Sequence, residues 1–206
     1  PRTVSIVATD LNQPMIDFAA ARSDGRIAWR QADALHLPFD DETFDIVACQ
    51  FGVMFFPDKS AAYREALRVL KPGGHFLFST WDRLAENELC QVVGETLAAL
   101  FPDDPPRFLE RAPFGYFDTG KIQSELHSAG FRGVNVEAVE RRSRAASPRD
   151  VATGLCQGSP TRNEIEARDP NGLSRATQAA ADAIAARFGI GPIDAKMQAF
   201  VITATK

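Results

Sequence analysis

At 206 residues, with 45% hydrophobic and 24% charged side chains, the chain has the makeup of one globular domain able to bury a sizeable core, which excludes a disordered or fibrous protein. A net charge of −4 argues against a nucleic-acid partner, and the dense basic cluster Arg141, Arg142 and Arg144 reads as a solvated strand end. Cys49, Cys90 and Cys156 lie far apart, which leaves no disulfide framework and no CxxC metal site and fits a reducing cytoplasm; no apolar run reaches the ~18 residues of a membrane span.

Pro1 leads almost directly into a strand, and this start reads as a cut end. Residues 4–8 are a short β-branched run, residues 15–21 space apolar side chains as a helix does, and residues 27–31 are strand-like again. Residues 45–51 form a nearly continuous apolar strand, the pattern of a central strand covered on both faces by helices. Residues 59–70 carry Ala62, Ala66, Leu67 and Leu70 at helical spacing and stop at the Pro72-Gly73-Gly74 breaker, before a strand over 75–80. Residues 87–101 predict a helix capped by Asn87, residues 102–106 a rigid proline loop, and residues 118–129 a helix with Asp118 or Thr119 as its cap and Gly130 past its end. Residues 134–141 and 197–205 alternate as strands and are expected to pair as an antiparallel edge unit. Between them, residues 146–192 form a helical insertion, with Ser147-Pro148-Arg149-Asp150 opening one helix, a break at 156–160 and an alanine-rich helix over 173–188; an insertion of this length suggests a lid. The strand–helix alternation implies a doubly wound α/β sheet with its ligand at the carboxyl ends of the strands.

Carboxylates end two successive strands: Asp10 closes Val4-Ser5-Ile6-Val7-Ala8-Thr9, and Asp33 sits in Gln31-Ala32-Asp33-Ala34. Followed in order by Leu37-Pro38-Phe39, Phe44-Asp45-Ile46-Val47, Leu70-Lys71-Pro72-Gly73-Gly74 and Ala129-Gly130-Phe131, they give the chain a pattern that resembles the class I S-adenosylmethionine-dependent methyltransferases. Within them it is similar to the branch that includes ubiquinone and menaquinone biosynthesis methyltransferases, most strongly over residues 4–82 and further to about 142. The resemblance implies a Rossmann-like, mostly parallel sheet with an antiparallel edge strand, S-adenosylmethionine as cofactor, and methyl transfer to a small, partly apolar acceptor. It leaves oligomeric state and acceptor unassigned.

In that setting Asp10 is placed to accept both ribose hydroxyls and Asp33 the adenine amino group, with a backbone N–H of Ala34 or Leu35 facing a ring nitrogen. Simpler roles stand beside these: Asp10 or Asn12 as a helix cap, Asp33 as an Asx turn. Leu11 and Met15 are expected to sandwich the purine, and Gln50 to lie beside the methionine moiety. Phe51, Met54 and Phe55 belong to an apolar loop where the acceptor approaches, with Trp81, Asp82, Tyr116 and, from the insertion, Arg162 as further acceptor contacts. None of His36, His75 and His127 is well placed as a base, and alignment of an activated donor needs none, so no catalytic residue is assigned. The family's first strand and glycine-rich turn have no counterpart upstream of Arg2, so residues 4–10 and 44–51 are expected to lack a shared neighbour. The competing reading is a non-catalytic α/β binding or interaction module that lacks the donor site.

Overall fold

In the computed structural model, which describes residues 4–23 and 25–206, β1 (Ile6–Asp10), α1 (Gln13–Ala20) and β2 (Ile27–Gln31) form a βαβ unit. Its strands run parallel, with Ile6 opposite Ile27 and Asp10 opposite Gln31. Ile16 is the one fully buried side chain among the described residues of this unit.

A second unit follows in β3 (Phe44–Gln50), α2 (Lys59–Val69) and β4 (Leu70–Trp81). Asp58 caps α2 by accepting from the Ala61 N–H at 2.8 Å, and β3 pairs parallel with β4. The expected breaker at Pro72-Gly73-Gly74 lies inside β4. Phe44 faces Leu70 while Ile46 faces His75, so residues 71–74 arch out as a bulge, and Gly73 (φ +77°) takes a conformation that favours glycine.

The chain continues through α3 (Glu88–Leu100), α4 (Phe108–Arg111), α5 (Thr119–Ala129), β5 (Arg132–Ala145), α6 (Pro148–Gln157), α7 (Thr161–Arg168), α8 (Leu173–Phe188) and β6 (Ile193–Thr205). Strand order is β3-β4-β6-β5, and β6 runs antiparallel to both neighbours. The expected edge unit is therefore present and longer than the alternation indicates. Asp118 caps α5 and Ser147 caps α6, as their sequences suggest. No helix among the described residues is long and apolar enough to cross a membrane.

Two apolar clusters hold this together. Tyr63 of α2 and Ile122 and Leu126 of α5 pack with Phe76, Phe78, Phe131 and Ile202 on one face of the four-stranded sheet. Helices α3, α6 and α8 build the other cluster against Ile193 and Ala195, where a fully buried side chain such as Ile184 contributes roughly 1.5–3 kcal/mol.

The face opposite α2 and α5, covered by the second cluster at Ile193 and Ala195, is open over β3. Ile46 is 59% exposed, so β3 is covered on one face only, and it lies at the edge of its sheet and not at the centre expected of it. Among the described residues no strand lies between β1 and β3, so β1–β2 and β3-β4-β6-β5 are separate sheets and β3 is left at an edge, as the absent shared neighbour implies.

Candidate functional site

Two cavities meet at the carboxyl end of β3 and share Ala48, Cys49 and Gln50. The larger, of about 580 Å³, lies between the ends of β1 and β2 and the flank of β3; Asp10, Leu11, Asp33, Ala34, Leu35 and Phe55 border it.

Its two carboxylates are set by short turns. The Asn12 N–H donates to Asp10 Oδ1 at 2.8 Å, and the Leu35 N–H donates to Asp33 Oδ1 at 2.9 Å. Asp33 thus makes the Asx turn, and Asn12 holds the N-cap position of α1 without a side-chain cap bond. Neither carboxylate has a cation partner among the described residues, and each keeps Oδ2 free. The turn consumes the Leu35 N–H and leaves that of Ala34 unbonded. Gln31 Nε2 fastens the Leu11 carbonyl at 2.9 Å.

The loop after Asp33 is tied to α2. Arg68 donates through Nη2 to the Leu37 carbonyl (2.9 Å), through Nη1 to the Phe39 carbonyl (2.8 Å) and to Asp41 (2.8 Å), and through Nε to Glu65 (2.8 Å). Glu65 in turn accepts from the Leu37 N–H at 2.7 Å. Hydrogen bonds from Arg68 hold the Glu65 carboxyl below its usual range, and those to Glu65 and Asp41 raise Arg68. In the sequence these two residues show only an acid and a base three apart on a predicted helix, and their role went unread.

The smaller cavity, of about 400 Å³, opens on the bare sheet face and is bordered by Phe51, Trp81, Val139, Arg141, Met197 and Ala199 among others. Phe51 has φ +51°, its N–H donates to Ser79 Oγ at 3.1 Å, and its ring stacks on Trp81 with centroids 4.2 Å apart and an interplanar angle of 17°. Burial pushes the Cys49 thiol up, which keeps it neutral where the cavities join.

Leu11, Asp10, Asp33, Ala34, Leu35 and Gln50 are thus brought together, Phe55 joins them, and Phe51 and Trp81 flank the second cavity. Five expected contacts lie elsewhere. Met15 points to solvent from α1, 58% exposed, and borders neither cavity. Met54 is buried in the α2/α5 core because residues 53–55 form a short 3₁₀ turn that tucks it inward. Tyr116 is 5% exposed in the same core, its hydroxyl bonded to Tyr63 at 2.9 Å and to Glu125, and burial raises it far above a phenol's usual range. Arg162 pairs with Glu166 on its own helix at 2.9 Å, and residues 146–192, including α6–α8, border neither cavity. Asp82 is also buried, accepting from the Arg83 N–H and from Gln198 Nε2, each at 2.6 Å.

Comparison with known proteins gives the family. Residues 2–78 match the family model described as "Methyltransferase domain". The chain is 31% identical to a demethylmenaquinone methyltransferase of Clavibacter sepedonicus over 72% of this chain and 69% of that protein. It is 28% identical to a demethylmenaquinone methyltransferase of Lactobacillus johnsonii over 63% of this chain and 59% of that protein. The chain thus spans about three fifths of the length of the first curated relatives it matches. Among solved structures, the YcgJ protein of Bacillus subtilis superposes with a TM-score of 0.57 at 20% identity, covering 97% of this chain and 81% of that one, which shows a shared fold.

Proposed function

We propose that this chain, which belongs to the class I S-adenosylmethionine-dependent methyltransferase family, holds the nucleoside of S-adenosylmethionine in its larger cavity and presents the methyl group to a small, partly apolar acceptor in the smaller one. The observation that carries this reading is the pair of carboxylates, Asp10 and Asp33, that border one cavity without cation partners. Carboxylates only accept hydrogen bonds, and ribose hydroxyls and an adenine amino group only need acceptors there.

The residues fit the cofactor as follows. Asp10 receives the ribose diol, Asp33 the adenine amino group, and the Ala34 N–H a ring nitrogen. Leu11 and Leu35 supply the apolar contacts to the purine, and Gln50, shared by both cavities, faces the methionine portion. When bound, S-adenosylmethionine supplies an electrophilic methyl group on a sulfonium. The contribution of the chain is alignment, with Phe51 and Trp81 as a flat wall on the acceptor side.

Among the described residues β1 and β3 each have one edge without a paired strand, and both border the same cavity. A strand laid between them, from sequence outside residues 1–206 or from another chain, would complete the methionine end of the site. Backbone resonance shifts on titration with S-adenosylhomocysteine test the reading. They are expected at residues 10–12 and 33–35, and shifts confined to any other region would overturn it.

A further inference from the structure

Resting on the reading that methyl transfer takes place where the two cavities join, we propose that the acceptor is an apolar ring compound bearing one anionic group, and that Arg141 recognises that group. The smaller cavity is bordered almost wholly by apolar side chains. Its polar exceptions are Gln50, which it shares with the nucleoside cavity, Ser79, whose hydroxyl is already engaged by the Phe51 N–H, and Arg141, the one charged residue that borders it.

Arg141 differs from its basic neighbours. Arg142 and Arg144 both pair with Asp194, at 2.5 and 3.1 Å. Arg141 donates only to the Glu140 carbonyl, at 2.8 Å, and among the described residues no carboxylate lies within ion-pair distance of it. Glu137, which alternates to the same face of β5, makes no ion pair with it. An unpaired guanidinium fork beside apolar walls suits a carboxylate or a similar planar anion, which it can bind bidentately, and burial of the ligand beside those walls strengthens the pairing.

The sheet register sets the size of the ligand. Trp81 faces Ala199, Ala199 faces Val139, and Arg141 follows two residues on, opposite Met197. Two strand spacings separate the rows of Trp81 and Val139 and two residues along β5 separate Val139 from Arg141, so the diagonal from the aromatic wall to the guanidinium side is about 12 Å, the length of two fused rings with a carboxylate and its contact to the guanidinium. The aromatic wall is itself held in place. Phe51 keeps a left-handed backbone that a non-glycine residue rarely adopts, while Ser79 fixes its N–H and Trp81 its ring.

The test is ligand-observed NMR with 1-naphthoate and its neutral amide, 1-naphthamide, on the full chain and on Arg141→Gln and Arg141→Lys. Arg141 is exposed, so neither change disturbs the core. We expect naphthoate to bind at least about 10-fold more tightly than naphthamide, Arg141→Gln to abolish that preference with naphthamide binding unchanged, and Arg141→Lys to keep part of it. Equal binding of the two probes, no binding of either, or a preference that survives Arg141→Gln would overturn the proposal. S-adenosylhomocysteine is titrated separately: loss of its effect at Asp10 and Asp33 refutes the nucleoside reading without touching the Arg141 result, and the converse holds.

Discussion

Asp10 and Asp33 each use Oδ1 to hold the backbone N–H two residues ahead and leave Oδ2 to the cavity. An asparagine keeps the turn through its own Oδ1 but replaces the free acceptor by an amide donor. Asp33→Asn and Asp10→Asn should therefore fold with unchanged melting temperature and need about 10-fold or more S-adenosylhomocysteine to give the same backbone resonance shifts at residues 10–12 and 33–35, the loss of one charge-assisted hydrogen bond. A large fall in melting temperature would instead mark the carboxylates as purely structural. The turn and the ligand contact, which in the sequence look like rival explanations of each aspartate, are compatible because a carboxylate has two oxygens. What the sequence hid was the support behind them. Glu65 is held below its ordinary range, so its stabilisation of the loop is fully present above the unfolded-state value near 4.3 and is lost as pH falls through the lower folded value. Hydrogen exchange at Leu37 should accelerate as the solution is acidified through that window after correction for intrinsic rates, whereas in Glu65→Gln the extra acid sensitivity should vanish.

At the scale of elements, Asp118 and Ser147 accept the backbone bond their position suggests, whereas Asn87, expected to cap α3, makes no cap bond and donates its amide to the Asp82, Arg83 and Gln198 carbonyls. Strands were harder, because ladder pairing extends beyond the alternating core of each pattern. β5 and β6 run to 14 and 13 residues, since each supplies the other's partners along nearly its whole length. The Pro72-Gly73-Gly74 run predicts a stop after α2, whereas strand pairing on both sides of it makes it a bulge within β4. α4 is too short to show a helical period, and α7, as long as α1, has only Ile165 and Ala167 as apolar residues. Gly130 marks the end of α5 at φ +108°, and a Cβ there would lie 2.9 Å from Leu67 Cδ2. Gly130→Ala should lower unfolding free energy by about 1–2 kcal/mol in urea titrations, from backbone strain plus the displaced leucine. Gly73→Ala, with strain but open space around it, should cost about 1 kcal/mol.

For the whole molecule, the separation of β1–β2 from the four-stranded sheet is the feature that the sequence foretold by a missing neighbour and that the structure renders as two unpaired edges around one cavity. Calorimetric titration of residues 1–206 with S-adenosylmethionine should give binding weaker than micromolar, because among the described residues no strand pairs between β1 and β3 beside the cavity; low-micromolar affinity would overturn this. The arrangement of the larger sheet has a consequence for how the protein is made. β6, although last of the strands in sequence, lies between β4 and β5, so those two strands have no ladder to one another until it arrives. During synthesis the nascent chain must keep Phe76, Phe78 and Val136 shielded while ribosomal extension proceeds through about fifty further residues, and the sheet closes only when its keystone leaves the exit tunnel.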